Sequence, residues 1–362
     1  MHVLFCNWRD TRNPEGGGSE RYVESMARGL VDRGHNVTIV CAEHSDAPRD
    51  EVVDGVRFAR RGSKLDVYVR VFFGILLRRF GKIDLVVDVQ NGLPFFTRLA
   101  TRKPVVVLVH HVHREQWPVV YPGLMGKVGW WIESRLSPRL YRKSRYIAVS
   151  SATREELIDL GVDRDRISIV HNGNDFAPPV EMVRSATPRI CVVGRLVPHK
   201  QIEHAIDALV ALKGEIPDLV LDIVGAGWWE EELRTYAHDH EVADRVIFHG
   251  FVDDDAKHNI YARAWIMALP SLKEGWGIVI GEAGTHSTPS VAYRSAGGTN
   301  ESIDHKDSGL LVDTRSEFIA AVRDLVVDEE WRNFLGQGAL EKSHKFTWTN
   351  SQKEFAHVIE NC

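Results

Sequence analysis

Cysteine is scarce in this 362-residue sequence: four residues, at positions 6, 41, 191 and 362, with no CxxC pair. Neither a thiolate zinc site nor a dithiol redox motif is expected. Cys6, Cys41 and Cys191 fall in or beside strand-like apolar runs and read as buried free thiols, which fits a reducing cytoplasm. No apolar run approaches 18 residues, so no transmembrane helix is expected. The chain enters a strand at once (His2–Trp8), so no signal peptide is expected either. Low-complexity tracts are absent, and the 44% hydrophobic and 26% charged content is that of an ordinary globular protein.

The length is enough for two domains, each with its own core. The net charge of −5 conceals an asymmetry. Residues 1–186 carry 28 Lys+Arg against 22 Asp+Glu, and residues 187–362 carry 17 against 28. A basic first half suggests an anionic partner or surface on that side. No nucleic-acid partner is expected.

Strand-like runs alternate with helical patterns throughout, the signature of parallel sheets with crossover helices. In the first half the expected strands are His2–Trp8, Val37–Cys41, Leu85–Val89, Val105–Val109, Tyr146–Val149 and Ile167–Val170. The pattern restarts with Arg189–Val193, Leu219–Val224, Val246–His249, Trp265–Leu269, Ser290–Tyr293 and Gly309–Val312. The expected fold class is α/β with two doubly wound, Rossmann-like domains. Residues 1–175 form the first, 176–188 a proline-bearing linker and 189–346 the second. The amphipathic stretch 346–361 either closes the second domain or crosses back onto the first. Ligands of such sheets bind at the carboxyl ends of the strands, which makes the cleft between the domains the expected site.

The stretch Ser271–Ala283 (SLKEGWGIVIGEA) sets Glu274 and Glu282 eight positions apart, the first at a strand end and the second about two turns into the next helix. By itself this is also a plain acidic pair near a helix start. Four further motifs accompany it. Gly16-Gly17-Gly18 opens a helix over Ser19–Arg33, where backbone N–H groups approach a phosphate or Ser19 simply caps the helix. No Gly-Lys-Ser/Thr follows, so it is not a Walker loop. Gly194-Arg195 and Lys200 place two cations at the start of a helix, against the usual dipole preference, and a diphosphate would offset them. Gly225-Ala226-Gly227 lacks the third glycine of a dinucleotide fingerprint and has Glu230 instead, which disfavours NAD. Gly297-Gly298 permits another close backbone approach.

Strand Val105–Val109 ends in His110-His111-Val112-His113. A histidine there can orient or donate to a substrate hydroxyl. Adjacent histidines point apart in a strand, so a metal site is not expected. Asp253-Asp254-Asp255 reads as an acidic helix cap rather than a metal ligand set. Two segments, 64–82 and 116–145, mix aromatic and aliphatic residues with arginine and lysine. They suit an anionic membrane surface, an acceptor pocket or plain core.

In this order, together with His171-Asn172-Gly173-Asn174-Asp175, the motifs resemble the retaining glycosyltransferases of the GT-B fold in the glycosyl transferases group 1 family (glycosyltransferase family 4). The resemblance covers nearly the whole chain and implies roles. Arg195 and Lys200 would hold the diphosphate of a nucleotide sugar, capped by the amides of Gly17 and Gly18 from the other domain. Glu282 would bind the ribose, and backbone near Phe251 and Val252 would meet the base. Gly225 would lie against the donor. Glu274 with the amides of Gly275, Trp276, Gly277 and Ile278 would hold the donor sugar. His110, or its neighbour His111, would contact the transferred sugar. The C-terminal helix, about 347–362, would cross back onto the first domain.

The implied reaction moves a hexose from a UDP- or GDP-sugar, UDP-glucose and GDP-mannose among them, to an acceptor hydroxyl on the same face. It needs no metal, no cofactor and no protein nucleophile. The acceptor would be a glycan, a glycolipid or a polyprenyl-linked sugar, with the enzyme cytoplasmic or peripheral at the inner face of the plasma membrane. A sugar-nucleotide epimerase or hydrolase and a non-catalytic sugar-nucleotide scaffold are the alternatives. His171, Gln201, Gly284 and Ser287 depart from the residues usual in the family, where Pro, Gly, a larger apolar residue and Gly stand.

Overall fold

A computed structural model describes residues 1–175 and 184–362. Eight residues of the expected linker, 176–183, lie outside the described residues. Two compact units are present: Met1–Asn172 with Trp348–Cys362, and Gly173–Thr347.

The first unit carries strands β1 (His2–Cys6), β2 (Asn36–Cys41), β3 (Asp50–Val53), β4 (Val56–Arg60), β5 (Leu85–Gln90), β6 (Val105–Val109), β7 (Arg145–Ala148) and β8 (Ile167–Ile169). Their order in the sheet is β3-β4-β2-β1-β5-β6-β7-β8. Every pairing is parallel except β3 with β4. The central strands are covered on both faces, which is why β6 reads as an unbroken valine-rich run and why even the polar Asp88 and Gln90 of β5 are buried. The β3–β4 hairpin is absent from the strands expected from sequence. Its turn is Asp54-Gly55, with φ of 49° and 77°, the conformation that the Asp-Gly pair favours in two-residue hairpins.

The helix Gly18–Asp32 buries Tyr22, Val23, Met26 and Leu30 against this sheet. Its N-cap is Gly17, not Ser19. The last helix of the chain, Trp348–Glu360, packs on it: Gln352 Nε2 donates to the Ser25 carbonyl at 3.0 Å, and Phe355 stacks on Phe5 at 5.9 Å.

The second unit carries β9 (Arg189–Val193), β10 (Val220–Val224), β11 (Val246–Gly250), β12 (Ile266–Leu269), β13 (Ser290–Tyr293) and β14 (Gly309–Val312). The sheet runs β11-β10-β9-β12-β13-β14, and every pairing is parallel. From β9 the chain winds outward through β10 and β11, then returns to the other side of β9 as β12. The gap between the carboxyl ends of β9 and β12 is therefore the topological switch point, where ligands of doubly wound sheets bind.

Two helix boundaries differ from expectation. Lys200 does not open a helix: Pro198–Lys200 is one 3₁₀ turn, Gln201 adopts the left-handed region (φ 49°), and the α-helix starts at Glu203. The helix after β12 spans Ile278–Gly284, so Glu282 lies little more than one turn in. Its start is delayed by Gly277, which sits at φ 84°.

Candidate functional site

In the second unit, four loops that leave the carboxyl ends of the strands are tied together by backbone. The β9 loop and the turn after β10 lie side by side: Leu196 N donates to Ala226 O at 3.0 Å and Trp229 N to Leu196 O at 3.2 Å. A Cβ on Gly225 would stand 1.9 Å from the Gly194 carbonyl oxygen, and one on Gly227 2.1 Å from that of Leu196. Glycine is required here by the protein's own backbone. The Gly225 amide is engaged as well, donating to Gly250 O at 2.8 Å. The motif holds the loop that carries Arg195, and Gly225 lies at the ligand end of the sheet with its amide engaged by the protein.

The β12 loop is fixed in the same manner. Leu272 N donates to His199 O at 2.9 Å, joining it to the β9 loop. Glu274 N donates to Ala296 O at 2.9 Å and Gly298 N to Glu274 O at 3.0 Å, joining it to the turn after β13. A Cβ on Gly298 would come within 2.1 Å of the Gly275 carbonyl oxygen. Across the switch point, Lys200 Nζ meets Glu274 Oε1 at 2.5 Å, with both side chains mostly buried. Trp276 is buried against the ring of Phe346 at 4.8 Å, so it shapes the turn 275–278 from below. Arg195 leaves β9 in the same loop, half-buried.

Glu282 is buried and held by two residues that sequence reasoning missed. Lys257 Nζ lies 3.0 Å from Oε1, and the Tyr261 hydroxyl donates to Oε2 at 3.0 Å. Both come from the helix Asp254–Arg263, four positions apart and so on one face. That spacing was the available signal. Asp253 caps this helix, its side chain accepting from Ala256 N at 2.8 Å. Beyond β11, Phe251 is 83% exposed, an unusual position for a phenylalanine, and Val252 is partly buried.

In the first unit, His110 follows β6 and is buried, with its ring edge-on to Tyr22 at 5.4 Å. Burial lowers its pKa to about 4, against an opposing pull from the Glu20 carboxylate, so the ring is neutral at pH 7. Its Nε2 has no hydrogen-bond partner among the described residues. Glu20, fully buried, reaches back to Gly17 N at 2.8 Å and to the Ser19 hydroxyl at 2.9 Å, and pairs with Arg9 Nε at 3.2 Å. The Gly17 amide is thus committed inside the protein, and Gly18 begins the helix. No group of three or more His, Cys, Asp or Glu side chains that could hold a metal ion is found among the described residues.

Residues 16–177 match the family model described as Glycosyltransferase Family 4, and residues 176–342 the one described as Glycosyl transferases group 1. Over 204 residues the chain is 34% identical to the GDP-mannose-dependent alpha-(1-6)-phosphatidylinositol monomannoside mannosyltransferase of Mycobacterium tuberculosis. That match takes in 52% of this chain and 51% of the relative, about half of its length. The sucrose-phosphate synthase of Thermosynechococcus elongatus superposes with a TM-score of 0.86 at 17% identity, over 100% of this chain and 98% of that one. Anabaena Alr3699/HepE, solved in complex with UDP-glucose, superposes with a TM-score of 0.78 at 18% identity over 100% of both chains. These structural likenesses identify the fold as GT-B.

Proposed function

This chain belongs to the glycosyl transferases group 1 family, and we propose that it is a retaining hexosyltransferase using a UDP- or GDP-sugar. The observation that carries the reading is the Lys200–Glu274 ion pair at the switch point of the second unit. A cation and a carboxylate at the ligand end of a doubly wound sheet suit a diphosphate and a sugar hydroxyl. In this reading Arg195 and Lys200 bind the donor diphosphate. Glu274 turns from Lys200 to the sugar hydroxyls, helped by the backbone of 275–278. Glu282, oriented by Lys257 and Tyr261, takes the ribose, and Phe251 with Val252 meets the base. His110, neutral and unpartnered at Nε2, contacts the transferred hexose.

The chemistry follows from these charges. As the bond between the anomeric carbon and the diphosphate oxygen breaks, negative charge grows on the leaving diphosphate, and Arg195 and Lys200 stabilise it. The acceptor oxygen bonds to the same face of the anomeric carbon, and its proton passes to the departing diphosphate. Atoms and charge balance without a protein nucleophile or a metal ion.

The acceptor we propose is a glycolipid or a lipid-linked sugar at the membrane face; the mycobacterial relative acts on a phosphatidylinositol mannoside, as its name states. Two regions of the first unit support this. Leu65, Phe73, Leu76 and Leu77 are exposed beside Arg78 and Arg79, and Leu124, Met125 and Trp131 beside Lys127. Apolar side chains interleaved with cations suit the interface of an anionic bilayer. Among the described residues no helix is long and apolar enough to cross a membrane.

Thermal-shift screening against UDP, GDP, ADP and their sugars, without added metal, tests the donor reading, because a ligand of the folded state raises stability. A selective shift with a UDP or GDP compound is expected, and no shift with any of them would sink the assignment. Product analysis then separates the alternatives: an epimerase or hydrolase converts the donor with no acceptor present, and a scaffold turns over nothing.

A further inference from the structure

Glu133 is a fully buried carboxylate that the donor site does not use. It sits in a single π-helical turn, Ile132–Leu136, which follows the helix Leu124–Trp131. Such turns are uncommon and concentrate at functional sites. Its Oε2 accepts from Trp117 Nε1 at 2.6 Å. Its Oε1 accepts from the backbone N of His113 at 3.2 Å and from His113 Nδ1 at 3.1 Å. Among the described residues no lysine or arginine pairs with Glu133, and the imidazole that meets it is that of His113. A buried carboxylate without a cation is costly. Tying a loop to a helix needs only a neutral side chain, so the charge itself calls for a use.

Its use lies in what it imposes on His113. A carboxylate can only accept, so Nδ1 must carry a proton, and in the neutral ring Nε2 then holds a lone pair. The His113 side chain is 18% exposed, and its Nε2 makes no hydrogen bond among the described residues. The ring is also held from the side by His111, 4.2 Å away. Trp117, the other anchor of Glu133, is clamped: Cβ atoms on Gly129 and Gly92 would lie 2.3 and 2.9 Å from its ring. Three positions before His113, His110 likewise has an unpartnered Nε2. One strand end therefore presents two imidazole nitrogens with nothing to bind, one of them with its tautomer set.

We infer that His113 receives a hydroxyl of the sugar acceptor at Nε2, with Glu133 as the positioning residue that sets its tautomer and direction. This rests on the transferase reading above and adds an acceptor subsite in the first unit. The test is ¹⁵N-histidine NMR of the full chain, saturated with UDP or GDP and titrated with methyl α-D-mannopyranoside. Transfer kinetics to the same glycoside follow in wild type, His113→Phe, Glu133→Gln and Glu133→Asp. The His113 ring signals should report an Nδ1–H tautomer and move with the glycoside. His113→Phe and Glu133→Gln should lower kcat/KM for the glycoside about 10-fold, the size of one lost hydrogen bond. Nucleotide affinity should stay unchanged, and Glu133→Asp should recover part of the loss. Signals that do not respond to the glycoside, or variants that transfer like wild type, overturn the subsite. So does a fall in nucleotide affinity equal to the fall in transfer, which marks a structural role. If His113→Phe does not fold, the NMR titration of wild type decides alone. A wild-type chain that neither binds nucleotide nor transfers sinks the transferase reading instead.

Discussion

Lys200 Nζ and Glu274 Oε1 lie 2.5 Å apart, bridging the loops that leave β9 and β12. Each is the other's ion-pair partner, so under the proposed donor reading a diphosphate draws Lys200 away from Glu274 or shares it. Lys200→Ala is expected to lower transfer by on the order of 10²-fold or more, the typical effect of losing one group that stabilises developing charge. Glu274→Gln is expected to slow transfer while leaving the affinity for free UDP or GDP at least as high as in wild type, because Lys200 is released. Initial rates and nucleotide titrations of both variants check this, with far-ultraviolet circular dichroism to confirm folding. Wild-type transfer rates in either variant would remove both residues from the site.

Gly298 underlies the Glu274 loop, with room for no Cβ beside the Gly275 carbonyl oxygen. Gly298→Ala must push the 274–278 turn aside, since backbone cannot yield as a side-chain end can. The expected result is loss of donor-dependent transfer, with the substituted unit less stable by about 1–3 kcal/mol. Melting curves and activity together measure it. An active Gly298→Ala enzyme with an unchanged melting temperature would show that the turn is not rigidly seated.

Gln201 and Ser287 stand where glycine is usual in the family, and both adopt the left-handed region, with φ of 49° and 54°. A side chain there costs about 1–2 kcal/mol. Part of the gain from glycine is offset by the freedom it adds to the unfolded chain. Gln201→Gly and Ser287→Gly are each expected to raise the melting temperature of the second unit by about 2–4 °C. Gln201→Ala and Ser287→Ala should give no such gain. Differential scanning calorimetry compares the four, and equal effects from alanine and glycine would exclude backbone strain as the cause.

His110 couples the first unit to pH. Burial holds its folded pKa near 4, below the ordinary value of 6.5, so the unfolded chain takes up the proton first as pH falls. The stability tied to neutral His110 is complete above about pH 6.5 and is lost progressively towards pH 4. Melting temperatures measured from pH 7.5 to 4.5 should fall, and His110→Gln should lessen that fall. An identical pH profile in His110→Gln would mean that other groups govern the acid limb. His286 in the second unit, also lowered by burial to about 4, adds a loss of the same sign that His110→Gln leaves in place.

Much of the architecture was legible because it depends on local pattern. All six strands of the second sheet are legible as apolar-rich runs: the inner ones because both faces are covered, and edge strand β11 through Val246, Ile247 and Phe248 although its residues alternate in exposure. Both Glu274 and Lys200 were visible from their neighbours, because glycines and strand ends announce tight loops. The β3–β4 hairpin is not legible from its Asp54-Gly55 signal alone: β3 is the edge strand, and its exposed residues dilute the apolar pattern. Two helix starts depend on single backbone states that local pattern does not fix: Gly17 caps the helix from Gly18, and the left-handed Gln201 delays the helix after β9 to Glu203.

What the chain's order of residues determined by itself was the class of fold, the family and the loops that bear the charges. Those follow from hydrophobic period and from motif spacing, both short-range properties. Tertiary structure alone decided who pairs with whom: Lys200 with Glu274 over a separation of 74 residues, Glu282 with Lys257 and Tyr261, and Glu133 with His113 and Trp117. It also decided why Gly225 and Gly298 are glycines, since the backbone that excludes a Cβ belongs to another loop. Such relations arise when the fold gathers distant segments, and a local pattern such as the spacing of Lys257 and Tyr261 shows at most which side chains share a face, not what they meet.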